Sequence, residues 1–332
     1  MAVKKISLTG IKPSGSPHVG NFLGAIQPAL ELAKDHDARY FIADYHALTT
    51  VRDKNLLKNQ IYDMAATWLA AGLNPDEVVF YRQSDIPEVF ELSWILSCLT
   101  AKGLLNRAHS YKDAVDKNTE KGKDQDEGIN CGHYYYPILM AADILAFNTD
   151  VVPVGQDQKQ HMEITRDIAQ AFNMTYGEVF TIPEAIIQES VKTIPGIDGR
   201  KMSKSYSNVI PLFVSEKELK KAVSQIVTDS KSVDEPKDPD KCNLFAIYSH
   251  FAPKADIEKT REAYLAGGLG YGDLKKELVE LINIVVQDGR EKYESLMNNR
   301  ERIDWILEEG AEKARMIAGP LLQKVRHAIG MQ

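Results

Sequence analysis

Three short apolar runs, each followed by an amphipathic stretch, constrain the fold more than any other feature of the first half of the chain. "KKISLTGI", "RYFIADYH" and "EVVFYRQ" read as strands. Helical patterns follow them: from about Gly20 through "ALELAKDH", then "LLKNQIYDMAATWLAAG" with Gly72 as its C-cap, then "VFELSWILSCLTAKG". Parallel strands need a crossover of helical length, so this rhythm predicts an α/β fold with a Rossmann-like, doubly wound parallel sheet. The pattern fails from about Asp116 to Asn130, where "DKNTEKGKDQDEGIN" predicts an exposed, mobile insertion. It resumes with "YYYPILMAADILAF", helical after Pro137, the strand "TDVVPVG" and the helix "QKQHMEITRDIAQAF".

Beyond residue 205 strand signals fade and helical ones take over, with Ser215 and Glu218 forming a capping box. Gly319-Pro320 predicts a kink in the last helix. The expected organisation is a catalytic α/β domain at 1–205, an all-helical domain at 206–305, and a C-terminal helix at 306–332 that packs back on the first.

A chain of 332 residues, 44% hydrophobic and 26% charged, can bury a sizeable core. A net charge of −7 excludes a generally basic nucleic-acid coat, but not a nucleic-acid partner bound by local patches. Cys98, Cys131 and Cys242 are far apart and form no Cys-x-x-Cys, which predicts reduced thiols in a cytoplasmic protein. No apolar run approaches a signal peptide or the roughly 20 residues of a membrane span, so no membrane association is expected.

Two segments suit phosphate chemistry. "GIKPSGSPHVGN", residues 10–21, joins a strand end to a helix start, where open α/β sheets bind ligands and free backbone N–H groups attract anions. Gly15 and Gly20 permit close backbone approach, and His18 can donate to a phosphate oxygen. "GRKMSKSYSN", residues 199–208, places Lys201, Ser203, Lys204 and Ser205 on a segment with few apolar anchors. Two lysines three apart suit a polyphosphate that gains charge during reaction. Each segment alone also reads as an ordinary solvated turn. A third candidate is Asp143, set among apolar residues of a helix, either satisfied by a neighbour or a carboxylate awaiting a ligand's donor. A fourth is the strand end at Gly155, followed by Asp157 and Gln158.

In that order the first two segments resemble the paired signatures of class I aminoacyl-tRNA synthetases. Asn21 stands where the family usually has histidine; its tryptophanyl branch commonly carries Gly-Asn there. "YPILMAADIL" and "VVPVGQDQKQHMEITRDIAQAFN" resemble the same branch, and the likeness runs nearly the full chain.

The resemblance implies activation of L-tryptophan by ATP, supplied as its Mg²⁺ complex with no tightly bound cofactor, and transfer to tRNA(Trp) by a homodimer. It implies that Lys201, Lys204 and Ser203 stabilise the pyrophosphate, that Met202 lies near the adenine, and that Ser14, His18, Gly20 and Asn21 line the ATP site. Lys112 matches a mobile ATP-contacting lysine. Asp143 is expected to accept the indole N–H, and Tyr136 and Gln158 to hold the α-amino group. Met140, Val152, Val154, Leu8 and His46 surround the indole. Gly155 and Asp157 are expected at the nucleotide, Asp157 on the ribose or the ammonium.

Lys12 replaces a glutamine common among relatives and is expected to bridge the substrate carboxylate and the α-phosphate. No editing domain and no protein-held metal are expected. A tyrosyl enzyme, a small nucleotidylyltransferase and a non-catalytic binding paralogue are the alternative readings.

Overall fold

The computed structural model describes residues 4–13, 15–187 and 194–331. Its first strand, β1 (Ile6–Ile11), leads into helix α1 (Val19–Asn21), a π-helical turn (Phe22–Ile26) and α2 (Gln27–Ala33). Strand β2 (Asp37–Ile42) is followed by α3 (Asp44–Ala47) and by α4 (Lys54–Ala70). Asp53 caps α4 by accepting from the N–H groups of Asn55 and Leu56. Gly72 lies just beyond its end with φ +111°. Strand β3 (Val79–Arg82) precedes α5 (Pro87–Leu99), α6 (Lys102–Asn106) and α7 (His109–Glu120). Helix α8 (Cys131–Leu145), β4 (Val151–Val154), α9 (Lys159–Tyr176) and β5 (Glu184–Ile187) complete the sheet half.

The strands lie in the order β3-β2-β1-β4-β5, and every pairing is parallel. Both faces are covered, as the unbroken burial of β2 after Asp37 requires. Tyr40, Ile42 and Phe80 point into one core with α4. Phe41, Tyr81 and Val152 point into the other with α5, α8 and α9. Strand order reverses between β1 and β4, and the crevice at their carboxyl ends is where such sheets take ligands.

Two expectations change here, and one strand appears that none foretold. Helix α8 starts six residues ahead of Pro137, because Asn130 caps it through the His133 N–H and the proline forfeits only one bond inside it. The stretch 116–130 is exposed, but its first residues continue α7 to Glu120. Strand β5 carried no sequence signal: it is a four-residue, partly exposed edge without alternation.

The second half is helical: α10 (Glu216–Ser224), α11 (Asn243–Tyr248), α12 (Lys254–Ala266), α13 (Tyr271–Asn298) and α14 (Arg300–Ala328). The Ser215–Glu218 capping box is present. Leu278 and Ile282 of α13 share the core that Trp68 of α4 enters. Helix α14 runs through Pro320 and lies along β3, covering that sheet edge. The approach is so close that a Cβ on Gly310 would stand 1.8 Å from the Phe80 carbonyl oxygen.

Candidate active site

A cavity of about 580 Å³ opens at the switch point between β1 and β4, within the usual size of a small-molecule site. Leu8 and Lys12 reach it from β1 and the turn beyond, and His46 from α3. Tyr136, Met140 and Asp143 project from one face of α8. Val152, Val154, Gly155 and Gln158 close it from β4 and the turn into α9. Ten residues singled out in the sequence are thereby brought to one cavity. Ser14 and the Asp157 side chain lie outside the described residues.

Asp143 is 2% exposed and paired with neighbouring side chains, the first of the two alternatives its sequence setting allowed. His46 donates Nε2–H to Oδ2 at 3.0 Å, and Gln83 donates from Nε2 to both oxygens at 2.8 Å. Burial raises the Asp143 pKa, and the bonds from His46 and Gln83 oppose that rise. Gln83 follows β3 directly, so its strand-end position was a signal that sequence reading left unused.

Tyr136 and Gln158 are joined through His161: the phenol oxygen lies 2.8 Å from Nε2, and Nδ1 lies 3.0 Å from Gln158 Oε1. Lys12 is no free surface lysine. Its Nζ donates to the Thr49 and Thr50 hydroxyls, each at 3.1 Å, and burial lowers its pKa. The two threonines were not foreseen; they sit one turn past His46, and nothing in a Thr-Thr pair marks a site.

The two phosphate-type segments meet beside this cavity. His18 caps α1: its Nδ1 accepts from the Asn21 N–H at 3.3 Å, and Asn21 Oδ1 accepts from the His18 N–H at 3.2 Å. Desolvation, with the Lys204 charge adding to it, lowers the His18 pKa to about 4, so the ring is neutral at physiological pH. The Gly20 N–H donates to Met202 Sδ at 3.2 Å, and a Cβ at Gly20 would crowd both that sulfur and the His18 ring. Met202 is buried, so the basic segment does have an apolar anchor, and its N–H is committed to the Ile194 carbonyl.

Lys204 Nζ lies against Gly15, which has φ +93°; a Cβ there would come within 3.2 Å of it. Burial lowers the Lys204 pKa, and the Asp63 carboxylate pulls it back up. Ser203 caps a short turn by accepting from the Ser205 N–H, and its own N–H donates to Asn208 Oδ1 at 2.7 Å. Lys201 is exposed; its carbonyl accepts from Asn208 Nδ2 at 3.1 Å. Asn208, the last residue of the segment, thus knits it together, a role its residue type did not mark. Lys112 is exposed on α7, whose residue Ser110 reaches the cavity.

A ligand cavity at the switch point, with two lysine-bearing turns at its side, defines a nucleotide-dependent α/β enzyme. The family described as "tRNA synthetases class I (W and Y)" matches residues 3–287. A tryptophan–tRNA ligase of Neisseria meningitidis is 50% identical over 333 residues, covering 99% of this chain and 98% of its own length. One from Pseudomonas aeruginosa is 51% identical over 98% of this chain and 73% of its own. The tryptophanyl-tRNA synthetase of Campylobacter jejuni, solved with ADP and tryptophan, superposes with a TM-score of 0.89 at 46% identity, covering 98% of this chain and all of that one.

The chain belongs to the class I synthetases for tryptophan and tyrosine, and within them to the tryptophan–tRNA ligases. It is an ATP-dependent ligase that activates L-tryptophan to tryptophanyl-adenylate and transfers it to tRNA(Trp).

Proposed function

We propose that tryptophan occupies the switch-point cavity with its indole N–H on Asp143, and that ATP spans the β1 turn and the 199–208 segment. The observation that carries this is Asp143 itself: a buried acceptor, fixed by two donors, on the wall of a cavity to which β1, α8 and β4 all contribute. The tryptophan carboxylate oxygen attacks the α-phosphorus, the bond to the β-phosphate oxygen breaks, and negative charge grows on departing pyrophosphate. Lys201, Lys204 and Ser203 stabilise that charge, and Mg²⁺ arrives coordinated to the triphosphate as part of the substrate.

Lys12, held by Thr49 and Thr50, lies between the carboxylate and the α-phosphate. Ser14, His18, Gly20, Asn21, Lys112, Gly155, Asp157 and Met202 complete the nucleotide site. Tyr136 and Gln158 hold the ammonium; Leu8, His46, Met140, Val152 and Val154 enclose the indole. Phenylalanine leaves Asp143 without its last donor, and sites of this kind reject such analogues by about 10⁴–10⁵.

Amino-acid-dependent ATP–pyrophosphate exchange tests the reading, with tryptophan and tyrosine run side by side. Exchange with tryptophan alone is expected; equal exchange with tyrosine refutes it.

The helical segment 206–305 faces the tRNA anticodon in this reading, and 306–332 docks on the catalytic domain at 1–205. The enzyme acts as a homodimer in the cytoplasm, where its tRNA is. Phe90 and Trp94, exposed one turn apart on α5, supply an apolar surface for the second copy. Trp94→Glu is expected to shift the sedimenting mass from dimer to monomer. Among the described residues, no helix is long and apolar enough to cross a membrane.

A further inference from the structure

We infer that His161 is a positioning residue for the substrate ammonium, acting through Tyr136 and Gln158; this rests on the reading that those two side chains hold that group. His161 is 4% exposed and stands behind both residues, while Tyr136 and Gln158 front the cavity.

The direction of the hydrogen bonds follows from donor inventories. Gln158 Oε1 can only accept, so Nδ1 of His161, 3.0 Å away, carries a proton. In its neutral form the imidazole then offers a lone pair at Nε2, into which the Tyr136 hydroxyl, 2.8 Å away, can donate. The phenolic proton therefore points away from the cavity, and Tyr136 meets a ligand as an acceptor.

An ammonium brings three donors and needs acceptors, so this polarity selects a cationic amine. Without His161 the phenol can turn its proton toward the ligand, and the Gln158 amide can rotate its NH₂ inward; either change opposes an ammonium. The rings of His46 and His133, edge-on to Tyr136 at 6.1 and 6.2 Å, fix where the phenol lies. His161 fixes which way its proton faces. The spacing helps: Gln158 is the cap residue of α9 and His161 stands three residues on, in its first turn.

Three ligands separate this role from a structural one. Tryptophan carries indole, ammonium and carboxylate; tryptamine lacks the carboxylate; indole-3-propionate lacks the ammonium. Binding is measured by calorimetry on the full chain. His161→Phe is expected to weaken tryptophan and tryptamine by about 10–100-fold while indole-3-propionate changes by less than about twofold, the scale of a lost charge-assisted bond. His161→Gln, whose side-chain oxygen can take the Tyr136 proton, is expected to recover part of the loss. In pyrophosphate exchange the KM for tryptophan rises and the KM for ATP does not.

Equal losses across all three ligands, or no loss for tryptophan, overturn the inference. Tyr136→Phe is run alongside. If it leaves tryptophan binding intact, the ammonium reading falls and the inference with it. If it weakens tryptophan and tryptamine while His161→Phe does not, the inference alone falls. Should His161→Phe not fold, His161→Asn, which keeps a donor toward Gln158 and drops the acceptor for Tyr136, carries the same comparison.

Discussion

Replacing Asp143 by asparagine keeps the shape and removes one acceptor oxygen. The carboxylate has about four lone-pair sites. His46 uses one and Gln83 uses two, through contacts of 3.0, 2.8 and 2.8 Å, which leaves one for an indole N–H. Asparagine offers about two sites and adds two N–H groups that face donors. With His46 and Gln83 both competing for the remaining oxygen, the indole loses its partner. A hydrogen bond to a charged acceptor contributes about 1.5–3 kcal/mol, so kcat/KM for tryptophan should fall about 10–150-fold.

The assay is pyrophosphate exchange with tryptophan and with its benzothienyl analogue, in which sulfur replaces the N–H. The native enzyme is expected to prefer tryptophan, and the preference should collapse in Asp143→Asn because only tryptophan has a bond to lose. If both substrates lose equally, or the preference survives, Asp143 does not read the indole. The same carboxyl leaves a mark on stability. Its folded pKa is raised above the unfolded value of 3.8, so the folded state takes up its proton first. Native protein should therefore gain stability relative to Asp143→Asn as pH falls through the raised pKa, in urea titrations at a series of pH values.

Lys12→Gln keeps a donor for Thr49 and Thr50 but drops the charge, so single-turnover activation should slow by about tenfold or more and demand more Mg²⁺; unchanged rate and magnesium dependence reject the bridging role. His18 stays neutral in the folded protein down to about 4, whereas the unfolded chain takes up its proton near 6.5. Stability should thus be lost as pH falls through that window, and His18→Gln should flatten the loss in thermal melts. Gly310→Ala forces a methyl to within 1.8 Å of the Phe80 oxygen, so α14 must lift from β3 at a cost of at least about 1–3 kcal/mol; an unchanged melting temperature refutes so close an approach.

Local pattern was enough for the parallel sheet, its crossover helices, the Ser215 cap and the two lysine-bearing turns, because hydrophobic periodicity and turn chemistry act over a few residues. That reach has limits. Strand β5 has neither the length nor the alternation to announce itself, and the Asn130 cap outweighed Pro137 in setting where α8 begins. That Lys12, Gly155 and Gln158 would line a cavity was legible because they stand at the ends of parallel strands, where open α/β sheets leave a crevice.

The partners of those residues were not legible. Asp143 meets His46 and Gln83 from 97 and 60 positions away, Gly20 meets Met202 across 182, and no local rule links such distant side chains. The amino-acid sequence by itself determined which groups were available and which elements would carry them. Folding decided which groups share a proton or a charge, because hydrogen bonds and desolvation depend on ångström distances that arise only once the sheet and its helices have packed.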